Sequence, residues 1–442
     1  MSHTPEPQVS GWGNLPGPGR EVRAEDLTQV WDAPLFRGLA RSYGDSSLPP
    51  PSRPVVVSTV LADRVLKFDE NTGILRAECG LSLAELNRAF LPRGFFTPVT
   101  PGTQFVTLGG MVAADVHGKN HHVEGCFGQH VTRLKMRVGS GQVLECGPDL
   151  EPELFWATVG GMGLTGHILE VEFKMSRIPS PWIWMESERV PDVDTYVRKL
   201  KEAAPEWPMT VGWIDCLSTG KNMGRGILMK GRWAHPAEAP QHFPRPLPNL
   251  VFPFTAPQFL LGRQTVQAFN FGFYWKHFRQ KQERIVDPFS FFYPLDFVRD
   301  WNRVYGPRGF TQYQCVLPES AGEGAARRFL DVLTRRGGAS FLCVIKDCGA
   351  QGKGLLSFPM KGMSIALDIA VRDNTQALID DLNAFVIGEK GRMYLAKDAF
   401  TRKEDFEKME PRLAEFQRVR KQWDPTFKFK SAQSIRLFGD PP

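Results

Sequence analysis

Long apolar runs are missing from this chain of 442 residues. Nowhere do 18 apolar residues follow one another without a proline or a charge, so no segment has the pattern of a membrane-spanning helix. The first residues, MSHTPEPQVSGWGN, also lack the apolar core of a secretory signal. The sequence therefore predicts a protein that is made and kept inside the cell.

Cysteine is scarce, and its spacing excludes two common uses. The seven cysteines are an odd number and include no CxxC pair. Neither a disulfide framework nor a zinc module fits this pattern. We expect reduced, mostly buried thiols.

A strong charge of either sign is also absent. Lys and Arg number 54 against 48 Asp and Glu. This mild basic balance fits a phosphate-bearing ligand or an anionic membrane surface but requires neither. The lack of a dense basic stripe or recognition motif argues against nucleic acid as a partner. The length favours two domains and permits three.

The first 180 residues contain short apolar runs separated by glycines, at 55–57, 74–77, 112–114 and 167–173. Such runs predict strands. Between them, residues 82–90 predict a helix, because Ser82 and Glu85 have the spacing of a capping box. This part of the chain is expected to be a β-rich α+β domain.

A second α+β domain is expected further along. Residues 191–204 and 373–387 have amphipathic helical patterns and flank strand candidates at 209–216 and 310–317. Residues from 403 onward should end the chain in helix. Between the two strand candidates, residues 236–294 are rich in Pro, Phe and Leu and show poor periodicity. This composition predicts a long loop, functional or flexible.

Glycine is concentrated in three segments where a backbone can approach a ligand closely. They are RGLARSYGD at 37–45, PGT at 101–103 with TLGGMVAADVHGKN at 107–120, and FWATVGGMGLTG at 155–166. Successive glycines permit turns that aim backbone N–H groups at an anion. None of the segments is a GxGxxG dinucleotide fingerprint or a GxxxxGKS phosphate loop, which weakens a nicotinamide domain or a P-loop ATPase.

Taken in order, these segments resemble the FAD domain of the vanillyl-alcohol oxidase superfamily. Within it, the strings RSYGD, PGT, HGKNHH, ELFWATVGGMGLTG, WNRVYGPRGFTQYQ, LSFP and YLAKD resemble the branch that oxidises the ribose of decaprenylphosphoryl lipids. The likeness runs from about residue 11 to residue 437. It implies a two-lobed FAD-binding domain (1–178, of the PCMH type), an α+β cap domain for the substrate (179–391, with a flexible 236–294 segment), and a C-terminal segment that returns to the FAD domain (392–442).

The resemblance also implies roles for individual residues. The first loop would pass over the flavin phosphates and the other two would hold the isoalloxazine and adenine. Many relatives carry in the first loop a His that bonds covalently to the flavin; Tyr43 stands there, which implies non-covalent FAD. The implied cofactor residues are Arg37, Gly38, Leu39, Ala40, Arg41, Ser42, Tyr43, Gly44, Pro101, Gly102, Thr103, Thr107, Gly109, Gly110, Ala113, Asp115, His117, Gly118, Lys119, Asn120, His122, Gly125, Gly160, Gly163, Leu164, Thr165 and Gly166.

Alcohol oxidation needs a hydride acceptor and a group that takes the hydroxyl proton. The resemblance assigns that group to Lys397, with Gln312, Gln314 and Lys346 beside it; without the resemblance, a solvated surface lysine would be the ordinary interpretation. Three positions depart from the family pattern and line the implied substrate pocket. The family pattern has a cysteine at the position of Ala366, an asparagine at that of Ser364 and a tyrosine at that of Phe292.

A metal site is the alternative for the cluster His117, His121, His122 and His130. The spacing does not match an HExxH helix and the neighbouring glycines favour a loop, so we expect no metal.

The resemblance implies oxidation of the 2′-hydroxyl of a polyprenyl-phosphoryl ribose to the 2′-keto sugar, with a separate short-chain reductase completing epimerisation to an arabinose donor for cell-wall arabinan. We expect a cytoplasmic protein, peripheral on the inner face of the plasma membrane if the Phe-rich segment binds lipid. An oxidase of free sugars, alditols or aldonolactones and a flavin-binding protein without turnover remain alternatives.

Overall fold

The structure is a computed structural model that describes residues 7–245, 248 and 250–442. Residues 246, 247 and 249 of the Phe-rich segment lie outside the described residues. Two sheets form the N-terminal part. A parallel sheet has the order β1-β3-β2, from β1 (Arg20–Arg23), β2 (Phe36–Arg37) and β3 (Val55–Ser58). An antiparallel sheet has the order β7-β6-β8-β5-β4, from β4 (Val65–Asp69), β5 (Ile74–Glu78), β6 (Val131–Arg137), β7 (Val143–Cys146) and β8 (His167–Lys174).

An eight-stranded antiparallel sheet forms the second part, in the order β12-β9-β11-β10-β14-β15-β13-β16. Its strands are β9 (Ile183–Val190), β10 (Met209–Ile214), β11 (Gly226–Trp233), β12 (Lys281–Val286), β13 (Phe310–Pro318), β14 (Cys343–Cys348), β15 (Gly362–Ala370) and β16 (Arg392–Met393). Three two-stranded ladders join Gln8–Ser10 with Pro16–Pro18, Phe95–Phe96 with Ser176–Arg177, and Leu250–Val251 with Val298–Arg299.

Twelve α-helices lie among the described residues: α1 (Leu83–Phe90), α2 (Leu108–Ala113), α3 (His121–Glu124), α4 (Pro152–Thr158), α5 (Val193–Ala203), α6 (Arg263–Lys276), α7 (Pro288–Phe292), α8 (Ala325–Arg335), α9 (Thr375–Gly388), α10 (Lys403–Met409), α11 (Leu413–Trp423) and α12 (Ala432–Phe438). Helices α5, α8 and α9 pack on one face of the eight-stranded sheet. The α+β class is confirmed, as are the helices predicted at 82–90, 191–204 and 373–387.

Helix α1 shows why its sequence pattern was sufficient. The Ser82 hydroxyl accepts from the Glu85 N–H, and the Glu85 carboxylate accepts from the Ser82 N–H, so both bonds of the capping box form. Leu83, Leu86 and Phe90 face the core from it.

Two expectations are wrong. The run at 112–114 is not a strand; it ends helix α2, because Thr107 caps this helix by accepting from the Gly110 N–H at 3.3 Å. The segment 236–294 is not a plain loop. It contains helix α6 and the edge strand β12, which pairs with β9 over six residues. Tyr274 of α6 is buried whereas Phe271 and Trp275 are exposed, so aromatic residues lie on both sides of the helix and its sequence shows no clear apolar face.

The C-terminal helices pack back on the N-terminal part. Arg420 of α11 donates to the carbonyl of Leu164 at 3.1 Å, and Arg436 of α12 pairs with Asp45 at 2.7 Å. These contacts agree with the expected return of the C-terminal segment, while the boundaries at 178 and 391 stay a prediction. All seven cysteines are buried free thiols, as expected. Among the described residues no helix is long and apolar enough to cross a membrane.

Candidate active site

The three glycine-rich segments meet in the structure. A Cβ at Gly38 would lie 2.1 Å from Oγ1 of Thr107, so the first segment touches the second through a backbone that only glycine permits. The second joins the third through two backbone bonds, from Gly160 to Val112 at 3.0 Å and from Met162 to Ala113 at 2.8 Å. Residues 37–45, 101–120 and 155–166 therefore form one surface.

That surface carries buried polar atoms without a partner among the described residues. They include Arg41 Nε and Ser46 Oγ in and beside the first segment, and His117 Nδ1 and His122 Nδ1 in the second. Leaving such groups unsatisfied in a protein interior is costly. A polar ligand of several donors and acceptors, lying across the loops, would satisfy them.

Several predicted cofactor residues are instead bonded inside the protein. Arg37 pairs with Glu21, Asp115 accepts from Ser357 and the Gly128 N–H, and Asn120 donates to the Pro98 carbonyl. His122 contacts the Trp207 carbonyl, and Thr165 bonds Thr158. These side chains orient the loops, and the backbone around them remains available to a ligand.

The sheet supplies the catalytic candidates from one face. In the register of β13, β15 and β14, Gln312 stands opposite Asp368, Gln314 opposite Ala366, and Ser364 opposite Lys346. Side chains two apart on a strand share a face. The residues predicted from the resemblance are therefore brought together, with the pocket position Ala366 between them.

Gln314 links this face to the second loop. Its Nε2 lies 2.9 Å from Nε2 of His117 and 3.1 Å from Oγ of Ser364. Burial, aided by the charge of Lys346, holds the pKa of His117 well below its usual value, so the ring is neutral at pH 7. With the Gln314 amide donating to Nε2, the proton resides on Nδ1, which has no partner among the residues that the structure describes.

Lys397 occupies a turn directly after β16. The Lys397 N–H bonds the Tyr394 carbonyl at 2.9 Å, and the neighbouring Ala396 carbonyl accepts from the Tyr43 N–H at 3.0 Å. Nζ of Lys397 lies 3.9 Å from the centre of the Tyr43 ring. Burial lowers the pKa of Lys397 to about 7; nearby Asp368 opposes this fall and Lys346 adds to it. An amine with such a pKa takes a proton near neutral pH.

Asp368 and Tyr305 are site residues that the sequence analysis missed. The Asp368 carboxylate accepts from Gln312 Nε2 at 2.6 Å and from the Tyr305 hydroxyl at 2.7 Å. Burial raises the pKa of Asp368 to about 6. The signal was the period of the strand, since Ser364, Ala366 and Asp368 alternate and must share a face.

Further cations surround the site. Lys119 donates to the carbonyl of Phe292 at 2.9 Å, and burial lowers its pKa to about 7, with Lys346 contributing. The guanidinium of Arg41 stacks 4.0 Å above the Trp12 ring. The Phe292 side chain itself is buried and stacks on Phe96, and it offers no polar group.

The four histidines of the cluster considered as a metal site each bind a different partner. Nδ1 of His121 accepts from the Gly349 N–H at 3.0 Å, and Nε2 of His130 lies 2.9 Å from the Glu124 carbonyl. No group of three or more His, Cys, Asp or Glu suited to a metal occurs in the part of the chain that the structure describes.

Comparisons with known proteins agree with this geometry. Residues 33–147 match the family model of an FAD binding domain. Decaprenylphosphoryl-β-D-ribose oxidase of Mycolicibacterium smegmatis is 33% identical over 415 residues, covering 91% of this chain and 88% of that protein. A protein of Streptomyces coelicolor described as an uncharacterized protein in the mprA 5′ region is 29% identical over 81% of this chain and its own full length. A putative D-arabinono-1,4-lactone oxidase of Neurospora crassa is 30% identical over 25% of this chain and 20% of its own.

FAD fits the surface described above, because its diphosphate, ribityl and ring atoms present the acceptors and donors that the unpartnered side chains lack. The protein binds FAD and is an FAD-dependent oxidoreductase. The chain belongs to the decaprenylphosphoryl-β-D-ribose oxidase family of the vanillyl-alcohol oxidase superfamily.

Proposed function

We propose that this protein oxidises the 2′-hydroxyl of a polyprenyl-phosphoryl-β-D-ribose to the 2′-keto sugar, the first half of epimerisation to an arabinose donor for cell-wall arabinan. A short-chain reductase of the keto group would complete the epimerisation. The observation that carries the proposal is the position of Lys397, an amine with a pKa of about 7 held beside Tyr43 and the polar face of β13 and β15.

Bound FAD supplies the hydride acceptor. The residues of the chain do the rest. Lys397, in its neutral form, takes the proton of the hydroxyl while the C–H bond breaks, so that the C–O bond becomes a carbonyl. Gln314 and the neutral His117 lie close enough to one another to position a sugar by hydrogen bonds, with the Nδ1 proton of His117 free to donate.

The charge of the pocket supports a phosphodiester substrate. In the proposed substrate the phosphate is on C1′, the carbon next to the one that is oxidised. A sugar whose 2′-hydroxyl meets Lys397 therefore brings its phosphate among the cations around the site. Burial lowers the pKa of both Lys346 and Lys119, so the protein does not supply enough negative charge to balance the two amines when they are protonated. A bound anion would supply that charge.

The two alternatives are less well supported. A free sugar, alditol or aldonolactone has no phosphate for these cations, and the matching lactone oxidase shares only a quarter of this chain. A flavin-binding protein without turnover has no use for a buried lysine whose pKa lies near neutral.

The test is anaerobic mixing of the flavin-loaded protein with polyprenyl-phosphoryl ribose while the flavin absorbance is followed. We expect bleaching with the phosphorylated lipid, and much slower bleaching with ribose or arabinono-lactone at equal concentration. Equal rates with free sugars would replace the proposal by the first alternative. Absence of bleaching with every sugar would leave the binding protein.

We also propose that the protein docks on an anionic membrane through the exposed apolar side chains of the described residues between 243 and 284. Of the eighteen large apolar side chains exposed among the described residues, nine lie there. They are Phe243, Leu250, Val251, Phe254, Leu260, Phe269, Phe271, Trp275 and Phe278. This surface would receive a lipid-linked substrate at the cytoplasmic face of the membrane.

The charges beside these side chains favour anionic lipid. Lys276, Arg279 and Arg284 are exposed, and each cation near such a surface contributes roughly 1 kcal/mol. Lys281 also lies beside these side chains, but its amine pairs with Glu186 at 2.7 Å. His277 is half-buried.

Flotation with vesicles of phosphatidylglycerol tests the docking proposal. The variant replaces Phe271, Trp275 and Phe278 by Ser, and we expect it to lose flotation while the wild type floats. Trp31→Ser removes an equally exposed aromatic residue elsewhere and is the matched control. Unchanged flotation of the triple variant would show that this surface is instead a contact within the protein or with another protein.

A further inference from the structure

Asp368 is a buried carboxylate without a hydrogen-bonded cation, which is an expensive arrangement. The side chain is 1% exposed, and the partners of its oxygens are the Tyr305 hydroxyl and the Gln312 amide. Some other deeply buried acids have cationic partners, such as Asp215 with Arg225 at 3.1 Å and Asp440 with Arg420 at 2.6 Å, whereas Asp115 is bonded to Ser357 and the Gly128 N–H instead. What distinguishes Asp368 is that it shares a strand face with Ser364 and Ala366 and holds Gln312, which points to a role in the site.

The contacts of Asp368 lead to Lys397 through two intervening residues. Gln312, held by Asp368, reaches the Tyr43 hydroxyl at 3.4 Å, and Nζ of Lys397 lies over the same Tyr43 ring. On the other side, the Thr311 hydroxyl donates to the Lys397 carbonyl at 3.4 Å. Strand β13 thus connects the carboxylate to the lysine through adjacent residues.

We propose that Asp368 is a positioning residue for the oxidation, which fixes the Gln312 amide beside Tyr43 and through these two residues supports Lys397. The proposal rests on the proposed function of Lys397 as the group that takes the substrate proton. Tyr305 assists Asp368 in this role, because its hydroxyl donates to the carboxylate and stabilises the ionised form.

The electrostatics agree. The carboxylate of Asp368 is the neighbour that raises the pKa of Lys397, whereas burial and Lys346 lower it. Lys397 in turn favours the ionised form of Asp368, together with the hydrogen bonds from Tyr305 and Gln312. The other groups that face the pair are the Tyr43 ring, neutral His117, and the Ser340 hydroxyl, which accepts from the Asp368 N–H at 3.1 Å.

Asp368 thus determines the pH range in which Lys397 can exchange a proton. With Asp368 ionised, Lys397 keeps a pKa close to neutral and so can both accept and release a proton at physiological pH. Without the carboxylate, the pKa of the lysine falls further, because the opposite charge is gone while burial and Lys346 remain.

The experiment measures the pKa of Lys397 in the flavin-loaded protein in two ways. One is the pH profile of flavin bleaching by polyprenyl-phosphoryl ribose. The other needs no substrate: the rate at which 2,4,6-trinitrobenzenesulfonate labels Lys397 is followed against pH by peptide mass spectrometry, since only the neutral amine reacts.

For Asp368→Asn we expect both profiles to move to lower pH by about one unit, the lower end of the effect of a close opposite charge. Bleaching at saturating substrate should slow by up to about tenfold, because the Asn oxygen still accepts from Gln312 but lacks the charge that strengthens this bond. Tyr305→Phe should shift the profiles in the same direction but less. Asp215→Asn makes the same chemical change at another buried acid of the sheet and should leave both profiles in place.

The outcomes separate this inference from the proposed function. A wild-type labelling profile in Asp368→Asn, or a fall in Tm with no change of profile, overturns the role of Asp368 and indicates a structural one. A shifted labelling profile in a protein that no polyprenyl-phosphoryl ribose bleaches supports the electrostatic coupling and refutes the proposed substrate.

Discussion

Replacement of Lys397 by Met is the sharpest test of the site. The change keeps the length and apolar stem of the side chain but removes the amine that lies over Tyr43. Since the neutral amine acts only as the hydroxyl proton leaves, its loss should lower turnover and leave FAD binding intact. A positioned acid–base group contributes about 100- to 10,000-fold, or roughly 3 to 5 kcal/mol of barrier.

The structure also predicts the pH dependence. With a pKa of about 7, Lys397 is protonated and inactive below neutral pH, and the bleaching rate should rise through about pH 7 and then level off. In Lys397→Met this rise should vanish from the remaining slow reaction. The folded state favours the neutral amine, so removing the amine should not lower Tm.

The assay is anaerobic stopped-flow bleaching of the yellow variant by polyprenyl-phosphoryl ribose from pH 6 to 9. Lys403, an exposed lysine at the start of α10, provides the matched control as Lys403→Met, which should react within about threefold of the wild type. Bleaching of Lys397→Met at the wild-type rate, or with an unchanged pH profile, would remove Lys397 from the mechanism.

The remaining predictions concern the cofactor, the pocket wall and the substrate phosphate. Because Tyr43 has no imidazole nitrogen to form the flavin link, acid precipitation should leave the yellow colour in the supernatant; colour in the pellet would contradict this. Because Ala366 has no thiol, inhibitors that trap the family's active-site cysteine should add no mass to the intact protein, and a stoichiometric adduct on another cysteine would show that the register around β15 was misread. Lys119→Met should raise KM for the phosphorylated lipid at least about tenfold with a smaller change in kcat, as expected for loss of a charge-assisted bond; an unchanged KM would place the phosphate elsewhere.

The elements that were predictable from sequence are those specified by neighbouring residues. Ser82 and Glu85 determine the start of α1 by themselves, and the short run of aromatic and apolar residues at 310–317 is enough to predict β13. Helix α2 was missed because one capping bond from Thr107 outweighs the strand preference of Val112 and the flexibility of two glycines. Helix α6 was missed because its exposed aromatic residues hide the helical period.

The candidate site depended on contacts between distant parts of the chain. Nothing near Lys397 in sequence distinguishes it from a surface lysine. Its environment comes from Tyr43, more than 350 positions earlier, and from Asp368 on another strand. Only the resemblance identified it, and the same resemblance passed over Asp368, whose importance appears once the strand register and the Tyr305 bond are known.

The return of the C-terminal helices to the N-terminal part has a consequence for protein engineering. Gln433 of α12 donates to the Leu395 carbonyl at 2.8 Å, inside the turn that carries Lys397, and the Ala432 N–H bonds the Leu48 carbonyl at 2.9 Å beside the first flavin loop. Helix α12 thus holds two segments of the site although it contributes no residue that would touch the substrate. Removal of residues 432–438 is therefore expected to loosen the lysine turn and the first flavin loop together, so that activity and flavin retention are lost before the sheets unfold.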